Sequence, residues 1–280
     1  MGFGQPLRRL LAVGGGFQSP DQSLAPSHSK VAWQLVGAWV LTMIAIPILR
    51  WTLGDGVLHW GVMLSVALLA LAMIGALWAQ WGGWTTGRLV VSVGILSWTL
   101  EWIGSTTGFP FGSYHYTPLL QPQIAGVPVL IPLAWLMMLP PAWAVASLIV
   151  GGRRDWRFVL VSAAAFTAWD LFLDPQMVGW GYWVWAAPGG YFGIPWVNFG
   201  GWMLGSALIT SLVRPGQLSA PIFVTVYAIT WFLQTVGQAL FWQMPGPAVV
   251  GGVVMGVFLL WAYLCAQRAI SLQHSAQPQL

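Results

Sequence analysis

Apolar runs alternate with short polar or Gly/Pro-rich stretches along almost the whole chain. Runs long enough to cross a bilayer, about 20 residues each, lie at 32–49, 57–80, 89–107, 127–150, 158–173, 195–213, 221–241 and 248–267. The fifth, at sixteen residues, is short, which leaves seven spans as the alternative to eight. Residues 1–30 are polar and rich in Gly, Ser, Gln and Pro, and are expected to form a disordered cytoplasmic segment. Arg8 and Arg9 are followed by only a short apolar patch, so no cleaved signal peptide is expected. Residues 31–268 then form a single transmembrane helical domain, and 269–280 a short cytoplasmic tail. The predicted fold is an all-α polytopic membrane protein.

Composition supports that reading. Hydrophobic residues make up 58% of the chain and charged residues 6%, whereas a soluble domain carries about 25% charged residues. Such a chain cannot cover itself with a polar surface. A single cysteine, Cys265, excludes an intrachain disulfide and a thiolate-rich metal site.

The formal charge of +4 hints at nucleic acid only until the basic residues are placed. Across the alternating loops and the two tails of eight spans, Arg8, Arg9, Lys30, Arg88, Arg153, Arg154, Arg157, Arg214 and Arg268 fall on one side and Arg50 alone on the other. By the positive-inside rule both termini are cytoplasmic, as expected for a multi-pass protein of a prokaryotic cell membrane. Basic residues that sort this way mark topology and need no nucleic-acid partner.

Only six residues are acidic, and three of them, Glu101, Asp170 and Asp174, lie in or at the end of outward-running spans. A carboxylate in mid-helix costs about 2.5–3.5 kcal/mol on insertion, and such residues usually face the bundle interior and serve a pathway or reaction. The loops that follow them, about 109–126 and 174–194, are aromatic, rich in Gly and Pro, and free of Lys and Arg. They also resemble each other. Glu101 precedes Tyr114 by thirteen residues and Asp170 precedes Tyr182 by twelve. Gly126-Val127-Pro128 matches Gly193-Ile194-Pro195, and Trp135 and Trp202 each lie seven residues after the proline. The third and fourth spans and the fifth and sixth are thus expected to form a weak internal repeat. A site at the interface of its halves would bring Glu101 and Asp170 face to face.

Asp170 and Asp174 share one helix face at i,i+4, and Pro175 is expected to end the helix just after them. Desolvation, the neighbouring carboxylate and the negative end of the helix macrodipole all make the neutral carboxylic acid the expected form. A neutral acid there is either a structural hydrogen-bond donor or a Brønsted acid. Trp169, Trp180 and Trp183 are placed to stabilise a cation beside it. Acid plus aromatics with no cofactor motif suits protonation of an electron-rich alkene to a tertiary carbocation that water captures. The substrate would be lipophilic and reach the site from the bilayer.

Glu101-Trp102-Ile103-Gly104, Phe109-Pro110-Phe111-Gly112-Ser113-Tyr114-His115-Tyr116, Trp169-Asp170-Leu171-Phe172-Leu173-Asp174-Pro175 and Gly193-Ile194-Pro195-Trp196-Val197-Asn198-Phe199-Gly200-Gly201-Trp202 together resemble the integral-membrane carotenoid biosynthesis family. The resemblance covers about 30–268. It implies a carotenoid hydratase that acts on a terminal 1,2 double bond at an open ψ end and gives a tertiary alcohol. Implied substrates are of γ-carotene, lycopene or C50 type, with association with other carotenoid-pathway enzymes.

The resemblance carries no residue roles, so these come from the physical argument. Asp170 is expected to deliver the proton, Asp174 to relay protons from water, and Glu101 to act as a second acid or to orient water. His115 is a further catalytic candidate. Tyr114, Tyr116, Trp169, Trp180, Tyr182, Trp183, Trp196 and Asn198 are candidate substrate contacts; neither a metal nor a cofactor is expected. A membrane prenyltransferase, a proton-coupled transporter and a non-catalytic pigment-binding protein remain rivals. The first needs basic residues for a diphosphate, and the outer half offers only Arg50.

Overall fold

A computed structural model describes residues 25–275. Seven helices in it are long and apolar enough to cross a membrane: α1 (Ala25–Leu53), α2 (Gly56–Thr107), α3 (Leu130–Ile149), α4 (Trp156–Gly179), α5 (Trp196–Val213), α6 (Pro221–Leu240) and α7 (Pro245–Ser275). The expected N-terminal segment lies outside the described residues up to 24. Helix α1 begins at Ala25, ahead of the expected boundary at 30, and α7 runs past the expected start of the tail. The last residues of the tail, 276–280, lie outside the description.

Helix α2 has 52 residues but breaks at Gly82, whose φ of 75° and ψ of 167° belong to a region open essentially to glycine alone. Val66 and Glu101 line the same cavity. On an unbroken helix they would stand about 52 Å apart at 1.5 Å per residue. The chain therefore reverses at Gly82, and the seven helices give eight spans. At that reversal Trp81 Nε1 donates to the Gln217 carbonyl at 2.9 Å, and the Ser219 amide donates to Gln80 Oε1 at 2.7 Å. Arg154 donates to the Gly216 carbonyl at 2.9 Å beside the same turn, while Arg88 and Arg214 line one cleft there. Arg88, Arg154 and Arg214 thus collect at one end of the bundle.

The opposite end carries four short strands, β1 (Tyr114–Tyr116), β2 (Gln123–Ile124), β3 (Val127–Pro128) and β4 (Trp183–Trp185). β1 pairs antiparallel with β4, with Tyr114 opposite Trp185, His115 opposite Val184 and Tyr116 opposite Trp183. The Ser113 carbonyl accepts from Ala186 N at 2.8 Å, and the Tyr182 carbonyl from Thr117 N at 2.9 Å. Exchanging 113–117 with 182–186 maps this ladder onto itself, which is the signature of a local two-fold. In this register Tyr114 is equivalent to Trp183, one residue on from the Tyr182 that sequence matching selected. Glu101 and Asp170 share the same offset of 69.

Beyond the ladder the offset falls to 67, because the second loop is two residues shorter. Ala125 and Phe192 both have positive φ, at 49° and 47°, and Gly126 and Gly193 follow at 81° and 90°. Both halves therefore make the same tight turn, with β2 pairing β3 in the first and Tyr191 bridging Ile194 in the second. The equivalent tryptophans Trp135 and Trp202 meet at the two-fold. They stack with centroids 5.1 Å apart and planes 4° from parallel.

One sequence expectation is overturned. Pro175 does not end its helix, since α4 continues to Gly179. A proline inside a helix leaves the carbonyl four residues back without its N–H partner. That carbonyl is Leu171 O, and it accepts from the Tyr191 hydroxyl at 2.9 Å. The helix can pass the proline because a side chain from the following loop replaces the missing donor. Asp170 and Asp174 are therefore interior to α4, and the macrodipole argument weakens accordingly.

Candidate active site

Three elements bring the acids together. The second arm of α2 supplies Glu101, α4 supplies Asp170 and Asp174, and α5 supplies Asn198 from its first turn. All four side chains are buried. The roof is the β1–β4 ladder, whose period-two alternation decides which side chains reach the site. Tyr114 is buried and Tyr116 partly so, but His115 between them is exposed.

Glu101 is met by three neutral donors. The hydroxyls of Tyr114 and Tyr116 donate to its Oε2 at 2.6 and 2.8 Å, and Trp135 Nε1 donates to Oε1 at 3.3 Å. Asp174 Oδ1 accepts from Trp183 Nε1 at 3.1 Å. Equivalent residues Tyr114 and Trp183 thus each hold a carboxyl group, but not equivalent ones, since Glu101 matches Asp170 and Asp174 matches Ser105. The two halves also differ in what lies beside it. The side-chain amide of Asn198 donates to Asp170 Oδ2 at 3.0 Å and also to Asp174 Oδ2. An amide nitrogen carries two hydrogens, so one Asn198 bridges both aspartates. At the equivalent places the first half has Ser105 and Ile131, and the bridge is unique to the second half.

The cavity under the ladder has a volume of about 60 Å³ and is walled by Glu101, Asp174, Asn198 and a ring of aromatic side chains. Tyr114, Tyr116, Trp169 and Trp183, candidate substrate contacts by the sequence argument, belong to that wall. So do Phe111, Trp135, Trp185 and Trp202, which it did not select. Trp135 and Trp202 were visible as repeat markers, and their equivalence was the available signal. Phe166 backs this pair, its ring centroid 4.8 Å from Trp135 and 5.3 Å from Trp202.

Other candidates lie elsewhere. Asp170 is fully buried behind Asn198 and is not part of the cavity wall. His115 points away from it. Tyr182 is buried against Trp180, and Trp180 packs edge-on to Trp242 at 4.9 Å in an adjoining groove. Trp196 is 64% exposed and packs on Tyr191 and Phe199. Asn198 caps nothing, because Pro195 holds the N-cap position of α5. Among the described residues, no group of three or more His, Cys, Asp and Glu side chains is placed to hold a metal ion.

A sequence-family profile described as "Carotenoid biosynthesis protein" matches residues 60–259. Among curated proteins the chain is similar to a bisanhydrobacterioruberin hydratase of Haloarcula japonica, 31% identical over 129 residues, which are 45% of this chain and 44% of that protein. The match therefore spans a little under half of that relative's length. No solved structure matches the chain.

Proposed function

The chain belongs to the carotenoid biosynthesis protein family, and from that premise we propose that it is a carotenoid hydratase adding water across the terminal 1,2 double bond of an acyclic ψ end group. The observation that carries this reading is that Glu101 and Asp174 line one cavity whose wall, Asn198 apart, is aromatic and aliphatic. The similarity to a protein named as a hydratase supports the same reaction class.

In the proposed reaction the carboxylic acid of Asp174 gives its proton to C2, and the π electrons of the C1–C2 bond form the new C–H bond. The tertiary cation left at C1 is stabilised by the faces of the surrounding indoles, which offer negative quadrupole potential without a nucleophile. Water adds at C1 and its surplus proton passes to a carboxylate, so the sum is alkene plus water to tertiary alcohol. Glu101, whose oxygens are already ordered by three donors, orients that water and takes the proton. The proton returns from Glu101 to Asp174 through water in the cavity they share, while Asn198 ties Asp174 to Asp170. The donor role that the sequence argument gave Asp170 thus passes to Asp174, the one of the two aspartates that reaches the cavity wall. No cofactor enters the scheme. The membrane is proposed to be the prokaryotic cytoplasmic one, with the arginine-rich end inside.

The test is expression in hosts that accumulate γ-carotene, lycopene or an acyclic C50 carotenoid, followed by mass spectrometry of the pigments. Products heavier by one or two waters are expected. Unaltered pigment from each host, with the protein folded in the membrane, overturns the reading and favours a binding or transport protein.

A further inference from the structure

The cage around Glu101 is too small to hold a whole carotenoid, so the rest of the chain must lie somewhere continuous with it. A second hollow of about 470 Å³ lies between α1 and α6, within the roughly 300–1,000 Å³ of common ligand pockets. Val62, Val66, Met137, Trp169, Leu173 and Met177 line both spaces. The groove and the cage therefore adjoin, with Trp169 among the side chains that stand between them.

The groove opens sideways. Helix α1 packs mainly on the first arm of α2 and touches α6 only lightly. Ile44 and Ile48 of α1 and Phe232 of α6 line the groove and are each about half exposed, at 48%, 50% and 55%. Side chains that wall a cavity and also form the outer surface of a membrane bundle stand at an opening to lipid. Aromatic side chains gather at one end of the groove. Trp51 packs on Phe241 at 5.4 Å, and Arg50, paired with Asp55 at 2.6 Å, lies 5.5 Å over the Trp242 ring. The single basic residue of that side thus fastens α1 to the end of α6.

We propose that the groove between α1 and α6 is the lateral portal and binding site for the polyene chain of an acyclic isoprenoid, which enters end-first from the bilayer. The proposal rests on the hydratase reading for the identity of the occupant. The linear chain lies against Met43, Leu69 and Met138, and only its terminal unit passes Trp169 to reach Glu101 and Asp174. The stacked Trp135 and Trp202 block the far side of the cage. One end therefore reacts per visit, and a carotenoid with two ψ ends must leave and re-enter reversed.

The test uses the full chain reconstituted in lipid nanodiscs with lycopene as the probe. Ile44→Trp and Val236→Trp place bulk at the mouth from opposite walls, and Val253→Trp adds the same bulk on the lipid face of α7, away from the groove. Ile44 and Val253 already face lipid, which keeps folding of those two variants secure. Retained lycopene absorbance and hydrated product are read separately. Both mouth variants are expected to lose at least tenfold in bound pigment and in product, with Val253→Trp at wild-type levels. Mouth variants that bind and convert as wild type overturn the portal. Wild-type protein that binds lycopene, loses it on mouth substitution and hydrates no substrate would leave the portal standing and overturn the hydratase reading instead.

Discussion

The Tyr191 hydroxyl donates to the Leu171 carbonyl at 2.9 Å, the acceptor that Pro175 strips of its helical partner. A loop residue therefore repairs the helix that carries Asp170 and Asp174. Burial, with the two aspartates nearby, pushes the Tyr191 phenol above its ordinary range, so it remains a donor at neutral pH. Tyr191→Phe leaves the carbonyl unpaired in an apolar setting. Hydrogen bonds within membrane proteins average about 0.6 and reach about 1.7 kcal/mol, less than the roughly 1–3 kcal/mol for an orphaned group in a soluble core. A fall in thermal stability within the membrane-protein range is expected. Pro175→Ala restores the backbone donor and should recover part of that loss in the double variant. Strictly additive melting temperatures would show that the two residues do not act on one acceptor.

The same pair shows what the sequence could and could not reveal. Pro175 reads as a helix end because a proline lacks a donor, and nothing in the linear chain says that Tyr191 supplies one sixteen residues later. The spans themselves were legible, because each is an apolar run bounded by arginines or by Gly/Pro loops. Even the break at Gly82 falls between two runs that length alone separates. The repeat was legible through Gly126, Gly193, Trp135 and Trp202, but its register was not. Abundant aromatics let Tyr114 match Tyr182, whereas the backbone ladder aligns it with Trp183. Among the acids, spacing placed Asp170 and Asp174 on one helix face. It could not tell which one Asn198 shields from the cavity, since that depends on where α5 crosses α4.

His115 lies at the centre of the β1–β4 ladder with its side chain on the outer face of the sheet. Its tyrosine neighbours point inward to Glu101. His115→Ala is accordingly expected to leave turnover near wild type and stability within about 0.5 kcal/mol, the usual range for a surface substitution away from special features. Pigment conversion in membranes measures it. A loss of tenfold or more would put the imidazole in the reaction.

Trp202 offers its indole to the cage while stacking on Trp135. If it stabilises a cation, a desolvated cation–π contact is worth about 2 kcal/mol or more, or roughly thirtyfold in rate. Trp202→Leu should lose about that much, and Trp202→Phe less, because an aromatic face survives. The measurement is the single-turnover rate at saturating carotenoid, so that weaker binding does not enter. Equal rates for the Leu and Phe variants would argue that the ring serves packing alone.

The carboxyl groups give the sharpest ordering. Glu101 and Asp174 face the cavity, whereas Asp170 touches it only through Asn198. General acid–base catalysis contributes about 10²–10⁴-fold, so Asp174→Asn and Glu101→Gln are each expected to lower turnover by about a hundredfold or more. Asp170→Asn keeps a side chain of the same shape behind Asn198 and should cost less than Asp174→Asn. Asn198→Ala separates the two aspartates without removing either, and its loss should resemble that of Asp170→Asn. Turnover of a ψ-end carotenoid by the four variants, each checked for bound pigment, tests the ordering. An Asp174→Asn enzyme with near-normal turnover beside a dead Asp170→Asn enzyme would return the donor role to Asp170. Cavity access would then not be what selects the acid.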